Sequence, residues 1–247
     1  MEISFVELIY RAYWTALDWI YPPVCAACGM PGYRLCLECQ SKIRFISGRM
    51  RNSSDSMILL QTKPGYHDQA GPSTYNAVKT LAIYEGVIRE CIHALKYENN
   101  QGLGELFSGW LADLVSDEGW EVDLVMPVAL SSQRVRQRGY NQSALIARPL
   151  AARLHRQYSP FGLKRIRNTP SQVGLSAEER RQNVAGAFSG LHEIVNGMHV
   201  LLVDDVLTTG ATLEACTSAL NAVGAEAVYC VTVAGFYANT TDPCRSP

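Results

Sequence analysis

The sequence predicts an α/β fold in which a mostly parallel sheet is flanked by helices and preceded by a small cysteine-built module. Three observations lead there. Short apolar runs rich in β-branched residues, VDLVMPV (122–128), HVLLVDD (199–205) and AVYCVTVAGF (227–236), alternate with stretches of helical periodicity. Gly, Pro and Ser punctuate the connections between them. Four of the eight cysteines fall in two spaced pairs, Cys25-x-x-Cys28 and Cys36-x-x-Cys39.

The chain has 247 residues, 47% of them hydrophobic, ample material for one medium domain and a small appendage. Residues 2–20 read as an amphipathic helix whose Glu2, Glu7, Arg11 and Asp18 do not fit a secretory signal. Packing on the protein itself is the expected fate of that helix, with attachment to a membrane surface as the alternative. No run approaches the ~20 apolar residues needed to span a bilayer. A cytoplasmic chain is therefore expected, with a peripheral position at the inner face of the membrane as the variant the helix would support.

The cysteine quartet comes next. Two CxxC turns separated by seven residues bring four thiols to where a tetrahedral Zn²⁺ can collect them. Gly29, directly after Cys28, permits the backbone conformations such a turn needs. A module of this size has too little core to fold unaided, so zinc would supply stability. Disulfides are disfavoured without a signal peptide, and a redox CxxC needs no second copy. The expected organisation is an N-terminal helix plus four-cysteine zinc module over 1–47, a linker or short hairpin over 48–75, and the main domain over 76–247.

Within the main domain, 86–97 and 102–115 have helical periodicity and 122–128 is a buried strand. Residues 142–156 read as a helix that Pro149 should bend or break. The strand at 199–205 is the clearest, followed by a helix over 212–223 closed by Gly224, and then the strand at 227–236.

Net charge is −1, yet between Met126 and Asn183 eleven Lys or Arg face only Glu178 and Glu179, giving +9 there and −10 over the rest. Such an excess suits phosphate-bearing ligands or nucleic acid. The alternative is a set of solvated helix faces neutralised by acids folded nearby. The span has few aromatics, Tyr140, Tyr158 and Phe161, so stacking of single-stranded DNA is only weakly signalled.

The stretch LLVDDVLTTGATL (201–213) carries the chemistry. It is not a P-loop, since GxxxxGK[ST] is absent, and Gly102-x-Gly104 is no dinucleotide fingerprint because Phe107 stands where the third glycine belongs. A buried strand delivers the following loop to the carboxyl edge of the sheet, where open α/β folds bind ligands. Thr208, Thr209, Gly210, Ala211 and Thr212 then open a helix whose free N–H groups favour a phosphate. Asp204 and Asp205 cannot serve that phosphate. They suit vicinal hydroxyls or a hard metal ion. A terminal phosphate beside a diol describes a ribose 5-phosphate. Turn or capping roles would explain one acid after a strand, but poorly two acids plus a Thr/Gly loop.

VLLVDDVLTTGAT resembles the phosphoribosyl-pyrophosphate (PRPP) motif of type I phosphoribosyltransferases. YEGVIRECIHALKY, VMPVALSSQRVRQRGYNQS, RNTPSQVGLSAEERRQNVAGAF and the cysteine pairs resemble the ComF/GntX branch, which is linked to competence and DNA utilisation. The resemblance covers nearly the whole chain and implies a type I phosphoribosyltransferase-like sheet. It implies that Asp204 and Asp205 meet the ribose or its Mg²⁺, and that 208–212 hold the 5-phosphate. Residues 128–141 become a pyrophosphate loop with Arg136 and Arg138, and residues 164–183, with Arg180, a flap. Two departures accompany it. Residues 40–75 lack the further cysteine pairs of some relatives, so a second zinc site is not expected. Purine-salvage members place a third acid where Thr208 stands, so a base acting on a purine nitrogen from there is missing.

Three functions are implied. The first is a ComF-like protein that binds PRPP or a nucleotide in competence, DNA uptake or DNA utilisation, with single-stranded DNA and a competence helicase or DNA-processing protein as partners. The second is an active phosphoribosyltransferase of nucleotide metabolism. The third is a zinc-containing single-stranded DNA-binding adaptor, against which the intact acid pair and Gly210 argue.

Overall fold

The computed structural model describes residues 22–46, 74–167 and 176–236. The helix expected at 2–20 and nearly all of the expected 48–75 linker lie outside the described residues. In chain order the elements are α1 (Leu37–Ser41), β1 (Ala77–Ile83), α2 (Gly86–Tyr97), α3 (Leu103–Glu118), β2 (Leu124–Pro127), α4 (Ser132–Arg138) and α5 (Gln142–Leu154). There follow β3 (Gln157–Tyr158), β4 (Leu163–Arg165), α6 (Ala177–Val184), β5 (Phe188–Gly190), α7 (His192–Val195), β6 (His199–Leu207), α8 (Ala211–Asn221) and β7 (Ala227–Gly235).

Five strands form a parallel sheet in the order β1-β7-β6-β2-β3, and β4 pairs with β5 in a separate antiparallel ribbon. Central β6 is buried without a break from Val200 to Asp205, as a strand covered on both faces must be. Its alternate residues divide between two apolar layers. Leu201 and Val203 join Ile88, Leu95, Phe107 and Ile146 of α2, α3 and α5. Val200 and Leu202 join Leu213, Cys216 and Leu220 of α8 with Leu163 and Phe188 of the ribbon. The strand-two periodicity thus carries Asp205 towards the first layer and Asp204 towards the second.

The expected strands and helices appear with shifted ends: α3 runs on to Glu118 and α8 starts at Ala211. Pro149 does not break α5, which runs continuously from Gln142 to Leu154. A proline there leaves the carbonyl of Leu145 without its helical donor. Helix α3 covers that carbonyl at Gly104, where an added Cβ would lie 2.5 Å from the Leu145 oxygen. The absent side chain lets the two backbones meet, so Gly104 serves packing. Its neighbour Gly102 lies equally close to the Arg34 guanidinium.

Strand β1 was not marked by alternation, because it is an edge strand with only Thr80, Leu81 and Ala82 buried in sequence. Its outer side is occupied by the cysteine module. Ile46 N–H donates to the Leu81 carbonyl at 2.8 Å and Ile83 N–H to that of Arg44 at 2.9 Å. Phe45 meets Trp110 edge to face at 5.5 Å, and Leu35, Cys36, Cys39 and Ile43 belong to the same apolar cluster as α2 and α3. The module therefore also covers an otherwise exposed strand edge. Thr74 and Tyr75 dock on the domain: Thr74 hydrogen-bonds Thr217, Asn221 donates to the Thr74 carbonyl at 2.6 Å, and Tyr75 is buried. No helix among the described residues is long and apolar enough to cross a membrane.

Candidate functional site

Beyond the carboxyl ends of β2 and β6 lies an open cleft of about 990 Å³. The Thr/Gly loop forms one wall. Strand β6 ends at Leu207, and Gly210 takes φ +80° as the residue before α8, a conformation that glycine adopts without penalty. Thr208 and Thr212 line the cleft, whereas Gly210 and Ala211 are buried beside it. The first N–H groups of α8 have no acceptor within the helix and carry the positive end of its dipole. The Thr209 hydroxyl is buried and has no hydrogen-bond partner. Thr209 does not line the cleft, so its hydroxyl would have to turn towards it to meet a ligand oxygen.

The acid pair forms the floor. Asp204 Oδ1 accepts the Ser143 hydroxyl and the Asp205 N–H, each at 2.9 Å. Asp205 Oδ2 lies 2.8 Å from the Lys96 ammonium, both side chains largely buried. Burial pushes the Asp204 carboxyl up to about 7, and the Asp205 charge adds to this. The Asp205 N–H, the Ser143 hydroxyl and Lys96 pull the other way. Burial alone would lower Lys96, but the two carboxylates outweigh it and hold the ammonium above its ordinary value. Direct Mg²⁺ coordination at Asp204 Oδ1 or Asp205 Oδ2 would compete with Ser143 and Lys96, which already meet those two oxygens. As arranged, Lys96 already brings positive charge to the place on Asp205 that a divalent ion would take.

The second wall is built by RVRQRGYNQS (134–143). The segment expected as a loop over 128–141 contains the two-turn helix α4, capped by the Ser131 hydroxyl and closed by Gly139 at φ +82°. Arg138 donates to Gln142 at 2.7 Å and to the Tyr97 hydroxyl at 3.2 Å, and lies over the Tyr97 ring. Tyr140 donates to the Leu95 carbonyl at 2.6 Å. Asn141 donates to the Val128 carbonyl and accepts the Ser143 N–H, capping α5. Each polar residue from Arg138 to Ser143 thus fixes the cleft wall or the acid pair.

Cleft-lining residues foreseen from the sequence are Arg138, Asp204, Asp205, Thr208 and Thr212. Arg136 is exposed and lies off the cleft, since Arg134 and Arg138 are the α4 arginines that line it. The Arg180 side chain lies outside the described residues. Sequence reasoning missed Lys96, Ser143, Arg134 and Arg165. Lys96 and Ser143 carried no local signal, and Arg134 and Arg165 were visible only as members of the basic span. Arg165, from β4, lines the cleft with its guanidinium 5.2 Å from the Phe188 ring centre. Burial, then the like charge of Arg134, lowers its basicity, so the cationic groups crowd one another as they would around a polyanion.

A second centre lies on the opposite side of β1. The sulfurs of Cys25, Cys28, Cys36 and Cys39 all lie within 4.8 Å of one another, with Cys28 and Cys36 at 3.7 Å. Tetrahedral Zn–S bonds of about 2.3 Å require sulfurs about 3.8 Å apart. Gly29 at φ +76° returns its N–H to the Cys25 carbonyl at 2.8 Å, closing the first knuckle. Burial would raise the Cys25 thiol, but the N–H groups of Cys36, Ala27 and Cys28 outweigh it and bring it down to about 6, favouring the thiolate a metal needs. This is a structural zinc site.

Comparison with known families agrees with both centres. A model described as phosphoribosyl transferase domain matches residues 93–243, and one described as double zinc ribbon domain matches 16–50. The chain is 34% identical over 162 residues to the DNA utilization protein YhgH of Escherichia coli (strain K12), covering 64% of this chain and 71% of that protein. It is 39% identical over 109 residues to competence protein F of Haemophilus influenzae, covering 43% and 47% respectively. Over 199 residues it is 26% identical to competence protein ComFC of Bacillus subtilis (strain 168), covering 77% and 68%.

Proposed function

The chain belongs to the phosphoribosyl transferase domain family, and on that premise we propose that it is a ComF-like protein that binds PRPP or a ribose 5-phosphate nucleotide. The observation that carries this is the junction of β6 and α8. There a buried acid pair and the hydroxyl-bearing Thr208 and Thr212, which flank the start of α8, line one cleft. The reading assigns the ribose hydroxyls to Asp204 and Asp205, and the 5-phosphate to the N–H and hydroxyl groups of Thr208, Thr209, Gly210, Ala211 and Thr212. Arg134, Arg138 and Arg165 would face the pyrophosphate, where preorganised cations stabilise concentrated negative charge. Mg²⁺ would accompany the pyrophosphate as part of the ligand. Arg180 belongs to the segment that would close over it.

The domain reading follows the same lines: 1–47 as helix plus zinc module, 48–75 as linker, and 76–247 as the sugar-phosphate domain. The biological setting we infer is DNA utilisation or competence in the cytoplasm, by analogy with the names its relatives carry. Single-stranded DNA and a competence helicase or DNA-processing protein are the partners that setting supplies. With Thr208 in place of a third acid, binding without transfer to a purine is the expected behaviour. Calorimetric titration of the zinc-loaded chain with PRPP and Mg²⁺ tests the reading, with pyrophosphate release followed in the presence of nucleobases. Saturable binding without release is the expected result, and no binding at about millimolar PRPP, roughly −4 kcal/mol, would sink it.

A further inference from the structure

We propose that Lys96 determines what the acid pair accepts: its ammonium holds the place of a divalent cation against Asp205, so the pair takes neutral sugar hydroxyls and refuses a free metal ion. The inference rests on the ribose-phosphate reading of the same cleft and names the residue that sets its ligand chemistry.

Two adjacent buried carboxylates are ordinarily a site for a hard cation. Here one oxygen of each is already engaged. Ser143 Oγ and the Asp205 N–H hold Asp204 Oδ1, and Lys96 Nζ lies 2.8 Å from Asp205 Oδ2. The Lys96 side chain is 18% exposed and that of Asp205 6%, so the pair is sheltered. The neighbours of Lys96 hold its helical turn in place. Tyr140 binds the carbonyl of Leu95, and Arg138 binds the hydroxyl of Tyr97.

Mg²⁺ takes its oxygens at about 2.1 Å in a near-octahedral set. At that distance from Asp205 Oδ2 it would share the oxygen with an ammonium, and two cations in a sheltered wall repel strongly. Arg134, Arg138 and Arg165 line the same cleft and add to the repulsion. A sugar hydroxyl has no charge. It can donate to a carboxylate while Lys96 stays in place, and accept from the ammonium as well.

The test is a Mn²⁺ titration of the zinc-loaded full chain, read by electron paramagnetic resonance with no sugar phosphate present. Wild type and Asp205→Asn are expected to bind Mn²⁺ equally weakly. Lys96→Met is expected to gain about one Mn²⁺ per chain at least about tenfold more tightly, a gain lost again with Asp205→Asn. Tight wild-type binding abolished by Asp205→Asn overturns the proposal, whether or not the Lys96 variant folds. So does a folded Lys96→Met that gains nothing. Failure of the ribose-phosphate reading would instead show in the separate PRPP titration, in which sugar binding is read directly.

Discussion

Asp204→Asn should stabilise the ligand-free protein while weakening its function. The carboxyl is raised from 3.8 to about 7, by burial first and by the Asp205 charge second. Because the folded value lies above the unfolded one, the folded state binds more protons between the two. The Asp204 contribution to stability is therefore greatest below about pH 4 and is lost as pH rises through 7. Three units at about 1.4 kcal/mol each set a ceiling of about 4 kcal/mol above pH 7. Asn keeps the oxygen that Ser143 and the Asp205 N–H engage. It also buries an NH₂ group that needs its own acceptor, so a recovery of about 2 kcal/mol is expected. Urea unfolding of zinc-loaded wild type and variant at about pH 5 and about pH 8 measures it. The variant's advantage should be larger at the higher pH by about 2 kcal/mol. Parallel stability profiles, or a variant that loses stability relative to wild type as pH rises, would refute the reasoning.

Gly104→Ala should destabilise the fold by about 1–3 kcal/mol in the same assay, because its Cβ would press on the Leu145 carbonyl; a neutral effect would mean that α3 and α5 separate freely. Arg165→Gln or Arg138→Gln should weaken PRPP binding about tenfold while affecting ribose 5-phosphate less. Arg136→Gln, at an exposed position outside the cleft, should change neither, and equal losses for all three would dissolve the assignment. Cys36→Ser should remove bound zinc, about one per chain by metal analysis, and lower the melting temperature by uncovering β1; an unchanged melt would separate the module from the domain's stability.

Where local pattern and burial coincide, the sequence was readable. Strand β6 is apolar because both faces are covered, and the cysteine spacing foretells the sulfur cluster because a knuckle is a local turn. The misses share a cause: they depend on contacts distant in sequence. Pro149 lies in a helix whose preceding turn packs against α3 at Gly104, and β1 is a strand because β7 and residues 44–46 flank it. At the candidate site, Asp204 and Asp205 were legible as a pair beside a Thr/Gly loop. Lys96 and Ser143 were not, since only folding brings α2 and α5 to the end of β6. Spacing likewise could not choose among Arg134, Arg136 and Arg138, because the expected loop is a helix and only one face of it meets the cleft.

The central claim is that the β6–α8 junction holds the 5-phosphate and the acid pair the ribose hydroxyls. Amide NMR of the zinc-loaded chain during titration with ribose 5-phosphate tests it most directly. The account expects saturable shifts confined to residues 204–213 and to the Lys96 and Ser143 regions, abolished by Asp204→Asn with Asp205→Asn. Shifts that map to the zinc module or to the exposed face of α4, with the Thr208–Thr212 amides unmoved, would contradict it.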